Sequence, residues 1–319
     1  MKKKWIAMGT GVGIGAVMLT VSAMSAMAGT SGYEAWKSAL KQTRTAQSVA
    51  GTAAVTVSDN GSELFGASAA FKKGAGDSGA SATVTLSAGA VTKGANLYLQ
   101  DGKAIVKTSD SDVYRVAEHG GGKGPKWRHD GAREGGPDPE FAEGAERVLD
   151  ALVGSLKDHV TLQSEADGGK RVSLHLTGSQ VPVAVNAIGS LLVRGASDGP
   201  HGGWKHGVEG KGEGEAAEDF HALFASGLEH DWPKLTKDIR VDDIRLDATI
   251  DAANYFDRKS AEIRIVGKDD AGAEHSVVVR ADIDLSGVNA TTPDSVDLTG
   301  KQVEKIEHDA GWRDRGGRR

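Results

Sequence analysis

The chain has 319 residues, of which 39% are hydrophobic and 5% aromatic, with a formal net charge of −6 at pH 7 and no cysteine. Without cysteine there is no disulfide framework, no thiolate metal site, no cysteine nucleophile and no lipid-modified cysteine. A mildly acidic chain that lacks a clustered basic face is a poor binder of nucleic acid. The 44 glycines are about twice the usual share of ~7%, so much of the chain lies outside a packed core.

The first 28 residues have the pattern of a secretory signal. Lys2, Lys3 and Lys4 precede an apolar stretch that runs from Ile6 to about Val21, and Ala26-Met27-Ala28 supplies small residues at a cleavage position. This pattern predicts export by a Sec-type signal that is cleaved after Ala28. An uncleaved anchor is the alternative, because the stretch is long enough to span ~30 Å of hydrocarbon. Both readings predict an extracytoplasmic protein, either secreted or held in the cell envelope.

An amphipathic helix followed by a β-meander is predicted next. Residues 32–47 carry apolar positions at helical spacing, namely Tyr33, Trp36, Leu40 and Thr43. From Val49 to Val116 the hydrophobic period changes to two, which is the period of a strand. Turn signals at Asn60-Gly61 and Asp101-Gly102 divide this region. We expect six antiparallel strands here.

The middle of the chain predicts helices around one hairpin. Apolar stripes in residues 140–158 and 179–196 indicate two helices, the second with Ser179 as its cap and Pro182 in its first turn. A hairpin turns at residues 167–169 between them, with His175 predicted on its solvated face, and a short helix is predicted over residues 216–232.

Three long strands with strict alternation are predicted in the last third, between Arg240 and Leu285. Asp243 is predicted on the solvated face of the first, and the second is predicted to begin at Ser260. The helices interrupt the sheet without alternating one for one with strands, which is typical of the α+β class. We therefore predict a single α+β domain over residues 29–307. It would carry mobile Gly/His-rich inserts at residues 118–139 and 197–215, and a disordered basic tail at residues 308–319.

This layout resembles the lipoprotein-carrier superfamily (LolA-like and LppX-like) and, more loosely, exported Bacillus-type proteins of unassigned role. The resemblance rests on the segment "GYEAWKSALKQT", the strands from Val49 to Val116 and the trio from Arg240 to Leu285, about three quarters of the chain. It implies a curved, mostly antiparallel, half-barrel-like sheet with helices packed on its concave face. It also implies non-covalent holding of an acyl chain or a similar apolar ligand between the sheet and the helices. The chain departs from lipoprotein members because it has no cysteine to acylate.

A cavity of this kind would be lined by the strand faces and by the helix stripes around Leu149, Leu152, Ile188 and Leu192. Burial of apolar ligand surface would contribute about 25 cal/mol per Å². The same side chains are also what a dry core requires, in which case they meet one another and leave no space.

The histidines of the two inserts suggest a second hypothesis. His119 and His129 lie around Trp127, and His201 and His206 lie around Trp204. Imidazoles in this pattern can bind Zn²⁺, Cu²⁺ or Ni²⁺ weakly. Glycine-rich loops oppose a fixed ligand geometry, since ordering each residue costs about 1–2 kcal/mol. Solvated inserts and contact with envelope polymers are the alternatives.

The sequence carries little catalytic signal. "SALK" (38–41) and "SDN" (58–60) imitate two serine acyl-transferase motifs, but the spacing leaves no room for the domain that usually separates such motifs. Asp282 and Asp284 are predicted to share the solvated face of a strand with Arg280, which favours surface ion pairs over general acid–base catalysis.

The sequence therefore predicts a non-enzymatic extracytoplasmic monomer that needs no cofactor. Its expected partner is a lipid or another apolar small molecule, a lipid-anchored protein or a component of the cell envelope, and not nucleic acid. The alternative is a structural or sensory envelope module that acts through its surface, with weak metal binding by the histidine loops.

Overall fold

Twelve strands form one open sheet in the part of the chain that the structure describes. The computed structural model describes residues 31–118, 159–183, 185–186 and 233–306. The strands in chain order are β1 (Val49–Asp59), β2 (Ser62–Lys73), β3 (Ala80–Ala88), β4 (Val91–Gln100), β5 (Lys103–Thr108), β6 (Val113–Glu118), β7 (Val160–Ser164), β8 (Lys170–Thr177), β9 (Lys237–Ile250), β10 (Phe256–Lys268), β11 (Glu274–Ser286) and β12 (Gln302–Ile306). Their spatial order is β12-β6-β5-β4-β3-β2-β1-β11-β10-β9-β8-β7. All neighbouring pairs are antiparallel except β6 and β12, so the predicted sheet type is confirmed.

The first six strands are the predicted meander. Each pairs with the next along the chain, from β1 to β6. The two predicted turns have positive φ at both central residues, 49° and 85° at Asn60 and Gly61 and 51° and 68° at Asp101 and Gly102. Two-residue loops of this geometry match the right-handed twist of the strands that they join. Local turn chemistry therefore sets the register of these hairpins.

Strand β1 joins the meander to the later strands. It pairs with β2 on one side and with β11 on the other, where Ala53 lies opposite Ile283. From β11 the sheet continues through β10, β9 and β8 to the predicted hairpin of β7 and β8. Strands that are distant in sequence are thereby placed in a single continuous surface.

A bulge interrupts the predicted strict alternation in β9. Ile263 and Arg264 of β10 pair with Ile244 and Asp243, but Ile265 pairs with Val241, so Asp242 is the extra residue. A bulge of this kind redirects the side chains next to it. Asp243 was predicted on the solvated face. It is instead only 7% exposed, and the prediction of its exposure is wrong.

One helix, α1 (Ser31–Arg44), packs on the sheet within the described ranges. It contacts β7, β8, β9 and β10. Glu34 in its first turn and Lys41 and Arg44 in its last turn are placed favourably for the helix dipole. The predicted helix is confirmed, although it ends at Arg44, before Gln47. No helix in these ranges is long and apolar enough to cross a membrane.

The chain after β11 was not predicted. Residues 287–301, here called the crossing segment, pass over β1 to β4 and lead to β12, which pairs in parallel with β6. The Asp294 N–H donates to Ser81 Oγ (2.9 Å), and the Val296 N–H donates to the side chain of Gln100 (2.8 Å). These side-chain bonds replace a strand ladder and hold the segment against the sheet.

Asp294→Asn is expected to loosen the crossing segment. Lys72 Nζ donates to Asp294 Oδ1 at 2.7 Å, and this bond lowers the pKa of the exposed carboxyl group. Because the pKa of Asp294 is lowered in the folded protein, the contact between Lys72 and Asp294 is fully stabilising above the usual aspartate pKa. This stabilisation is lost as the pH falls through the lower, folded-state pKa. The protection factor of the Val296 amide, which corrects for the intrinsic pH dependence of exchange, should be lower in the variant than in the wild type at pH 7, and the wild-type factor should fall in acid. Unchanged exchange in both cases would contradict this assignment.

Several predicted features lie outside the described residues. These are the signal, both inserts, the tail, and the helices over residues 140–158 and 216–232. The predicted role of Ser179 is wrong, because it lies in a three-residue 3-10 turn, Gly178–Gln180. Helical residues begin only at Val183, after Pro182. The Asn186 side chain then accepts a hydrogen bond from the Val241 N–H at the bulge of β9 (2.7 Å).

Candidate functional site

One face of the sheet is mainly apolar and the other, here called the polar face, is mainly polar, although Ile105 and Val116 near one end of the polar face are buried. Because side chains alternate along each strand, the pairing register defines rows of neighbours that cross the strands. One row on the apolar face runs through ten strands. Its members, from β7 to β5, are Leu162, Val172, Ala248, Lys259, Ile283, Ala53, Ala69, Val84, Ala95 and Thr108. Lys259 is the one charged residue of this row.

Helix α1 covers one side of the apolar face. Trp36 is 2% exposed, and its ring centroid lies 4.7 Å from that of Phe256. Val172 and Leu176 of β8 are fully buried in the same cluster. Thr43 Oγ1 accepts a hydrogen bond from the Phe256 N–H at 3.0 Å. The apolar face of β8 to β10 is therefore a closed core.

The same face is shallower over β1 to β3. Along β2 two alanines, Ala67 and Ala69, lie between Phe65 and Phe71. The half-buried alanines Ala53, Ala67, Ala69 and Ala82 are here called the alanine floor. Stacked sheets lie about 10 Å apart, and interdigitating side chains normally fill that distance. Methyl groups fill less of it than the large side chains beneath α1, so the alanine floor is the place on this face that best suits an apolar ligand.

Lys259 lies between the closed core and the alanine floor. Its strand neighbours in the row are Ala248 and Ile283, and its Nζ lies 5.2 Å from the centroid of the Phe256 ring. Burial lowers the pKa of the Lys259 amine, because desolvation disfavours the charged form. Within the described ranges no carboxylate forms an ion pair with it. The arrangement is that of a cation set in an apolar surface.

The polar face is a surface of ion pairs, as predicted for Asp282 and Asp284. Arg258 lies 3.0 Å from Asp282 and 3.7 Å from Asp284, and Arg280 pairs with Glu262. All of these groups lie at least partly in solvent, where an exposed pair contributes about 0–1 kcal/mol. They stabilise a solvated sheet face through ion pairs.

The buried Asp243 is held by two partners on this face. Nε2 of the exposed His175 lies 2.9 Å from Asp243 Oδ2, and the Arg245 guanidinium lies 3.1 Å from Oδ1. A buried carboxylate needs such partners, because removing it from water unpaired is costly. The prediction that His175 is a surface residue is confirmed.

A pocket of about 350 Å³ lies beside the crossing segment. Its polar lining includes Thr52, Lys72, Ser81, Tyr98 and Asp294. The first four lie on the polar side of their strands, and Asp294 belongs to the crossing segment. Burial, with Tyr114 and Asp294 nearby, raises the pKa of Tyr98. This pocket was not predicted from the sequence, because its shape depends on the position of the crossing segment. These polar side chains lie on the face opposite the alanine floor, while Phe71 and Ala82 of the apolar face also contribute to the lining.

Two of the three described histidines, His175 and His275, form carboxylate contacts. His275 Nδ1 lies 2.6 Å from Asp59 Oδ2, and its Nε2 lies 3.8 Å from Asp269 Oδ2. This contact links the β1–β2 turn to the β10–β11 turn. In the part of the chain that the structure describes, no three His, Cys, Asp or Glu side chains converge as metal ligands.

The predicted site residues lie outside the described ranges. This applies to the cavity residues Leu149, Leu152, Ile188 and Leu192 and to the proposed metal ligands His119, His129, His201 and His206. Both assignments stay predictions. The residues that the structure brings together on the apolar face are those of β1 to β3, β10 and β11.

The two serine motifs have separate local roles. Ser38 Oγ, on the exposed side of α1, accepts a hydrogen bond from the Asn254 side chain at 2.8 Å. Asp59 and Asn60 form the β1–β2 turn, where Asn60 Nδ2 donates to the Glu274 carbonyl at 3.0 Å. Both motifs therefore take part in turn and helix contacts.

Neither a protein-family model nor a curated protein matches the sequence. Among solved structures, a LolA superfamily protein from Nitrosomonas europaea is similar at 9% identity and a TM-score of 0.21, covering 85% of this chain and 97% of that one. A lipovitellin, described in terms of lipid–protein interactions, is similar at 7% identity and a TM-score of 0.24, covering 78% of this chain and 26% of that one. Both TM-scores are low, so neither likeness assigns a ligand here. Membership of the lipoprotein-carrier superfamily stays a prediction.

Proposed function

We propose that this protein is a non-enzymatic extracytoplasmic protein that holds one apolar ligand, such as an acyl chain, against the apolar face of its sheet. The observation that supports this most is the alanine floor. The apolar face is closed by large side chains beneath α1, whereas over β1 to β3 it offers half-buried methyl groups between Phe65 and Phe71. The export part of the proposal rests on the signal pattern of the first 28 residues.

The driving force in this proposal is burial of apolar surface. Each methylene group that leaves water contributes about 0.8 kcal/mol. Affinity should therefore rise by up to about fourfold for each methylene added to the ligand, until the chain outgrows the face. Holding of this kind needs no catalytic group, which agrees with the surface ion pairs and turn contacts that the polar side chains form.

A fluorescent fatty acid titration tests the proposal. Saturable binding of one probe per chain, displaced by straight-chain carboxylates with an affinity that rises from hexanoate to dodecanoate, is the expected result. Native mass spectrometry after mild purification should show the same one-to-one complex. Absence of saturable binding, or an affinity that does not depend on chain length, would overturn the proposal and favour a dry core.

A further inference from the structure

Lys259 is the one charged side chain in the apolar row that runs from β7 to β5. Lys259 has Ala248 and Ile283 beside it, and the row continues through Ala53 to Ala69 on the alanine floor. An ammonium group at such a position is costly unless something offsets its lost hydration. The described residues offer one contact of this kind, the Phe256 ring at 5.2 Å.

Several other cations of the sheet have anionic partners nearby, although the buried Nε of Arg264, on the polar side of β10, has no hydrogen-bond partner among the described residues. Arg258, next to Lys259 in the chain but on the polar face, lies 3.0 Å from Asp282. Lys72 is 2.7 Å from Asp294, and Arg115 at the sheet edge is 3.0 Å from Glu304. The chain is rich in acidic residues, so the lack of a described carboxylate beside Lys259 is local to this part of the apolar face.

We propose that Lys259 binds the anionic head of an amphiphile whose apolar chain lies across the alanine floor. This inference rests on the proposed function and narrows its ligand to molecules with one long apolar chain and one anionic group, either a carboxylate or a phosphate. The ammonium group supplies a charge-assisted hydrogen bond, which is stronger in an apolar surrounding than in water.

The spacing of the sheet fits such a ligand. Lys259 lies on β10, and Ala53 and Ala69 lie two and three strands away in the same row. With strands about 4.8 Å apart, the row from Lys259 to Ala69 measures about 14 Å. A head held at Lys259 thus leaves the chain over the methyl groups of β1 and β2, where no charged side chain of the row competes for space.

A lysine can also occupy such a position without any ligand, by extending its ammonium group toward water along an apolar stem. The two explanations differ in what they predict for binding. A lysine that only reaches solvent makes no distinction between anionic and neutral ligands of equal chain length. A lysine that receives the head of the ligand favours the anion.

The test compares dodecanoate, dodecyl phosphate and dodecanol on the full chain and on Lys259→Met, Lys259→Arg and Lys268→Met. Lys268→Met is the matched control, because Lys268 lies on the same strand but is paired with Asp238 and Glu274 away from the floor. In Lys259→Met the affinity for both anions should fall by about tenfold or more, while that for dodecanol is retained. Lys259→Arg and Lys268→Met should keep the preference for anions. A loss for one anion alone identifies which head the site takes.

Two outcomes overturn the inference in distinguishable ways. If Lys259→Met binds both anions and dodecanol as the wild type does, the head does not meet Lys259, but the proposed function stands. If the wild type binds none of the three ligands, the proposed function and this inference fail together.

Thermal melting gives a readout independent of ligand. Lys259→Met should melt at a higher temperature near pH 7, because a desolvated charge with no carboxylate partner among the described residues has been removed. A lower melting temperature would show that Lys259 is a stabilising structural cation instead.

Discussion

Replacing Trp36 by alanine is expected to lower the free energy of unfolding by about 3–5 kcal/mol, the usual range for a buried aromatic side chain. Trp36 is 2% exposed, and it joins α1 to the sheet through its contact with Phe256. The cavity left behind lies beneath a helix that Ser38 and Thr43 join by hydrogen bonds to Asn254 and Phe256, so it cannot easily collapse. Chemical denaturation followed by far-UV circular dichroism measures the loss.

Lys37→Ala is the matched control for this substitution. Lys37 is the next residue of α1 and is exposed, so its truncation should change the free energy of unfolding by no more than about 0.5 kcal/mol. Trp36→Phe should cost less than Trp36→Ala, because it keeps a ring against Phe256 and removes an indole N–H that has no hydrogen-bond partner among the described residues. Equal effects of Trp36→Ala and Lys37→Ala would show that α1 is not docked as described.

The second large effect concerns ligand binding, where Ala53→Phe is expected to weaken acyl-chain affinity by at least about tenfold. Ala53 lies at the centre of the alanine floor, between Ala69 on β2 and Ile283 on β11. A phenyl group there occupies the volume in which the ligand would lie and removes several methylene contacts, each contributing about 0.8 kcal/mol. Displacement of a fluorescent fatty acid measures the change.

Ala54→Phe is the control for the opposite face. Ala54 is the next residue of the same strand, it is also half-buried, and it pairs with Ser68 and Asp282 on the polar face. It carries the same added volume and the same change in strand propensity, but it should leave acyl binding unchanged. Similar losses in Ala53→Phe and Ala54→Phe would mean that the effect comes from strain in β1 and not from a blocked binding face.

The meander could be predicted from sequence because its determinants are local. Alternation such as Phe65, Ala67, Ala69 and Phe71 defines both the strand and its apolar face, and Asn-Gly or Asp-Gly turns define the register. Three long strands of the last third were recognisable for the same reason. The pairing of β1 with β11 is not local, and no single segment of the sequence predicts it.

The parts that were missed depend on distant partners. β12 has five residues, four of them exposed, and it is a strand only because β6 lies beside it. The crossing segment is held by Ser81 and Gln100, which nothing in its own sequence indicates. Asp243 is buried on the polar face beside the side chains of His175 and Arg245, and alternation along β9 alone does not reveal these partners.

The candidate site was predictable in kind but not in its residues. An apolar ligand against a sheet face was expected, yet the predicted lining residues came from helices outside the described ranges. Lys259 was missed because β10 was predicted to begin at Ser260, whereas it begins at Phe256. Extending the alternation of Ala261 and Ile263 one step toward the N-terminus places Lys259 on the apolar face, and this was the available signal.

Photochemical labelling tests the central claim most directly. A dodecanoate that carries a diazirine near the end of its chain is bound, irradiated and mapped by peptide mass spectrometry, with unlabelled dodecanoate as competitor. Competable labels on the alanine floor, at Ala53, Ala67 or Ala69, are the predicted result. Competable labels confined to the pocket beside the crossing segment, around Ser81 and Tyr98, would contradict the account.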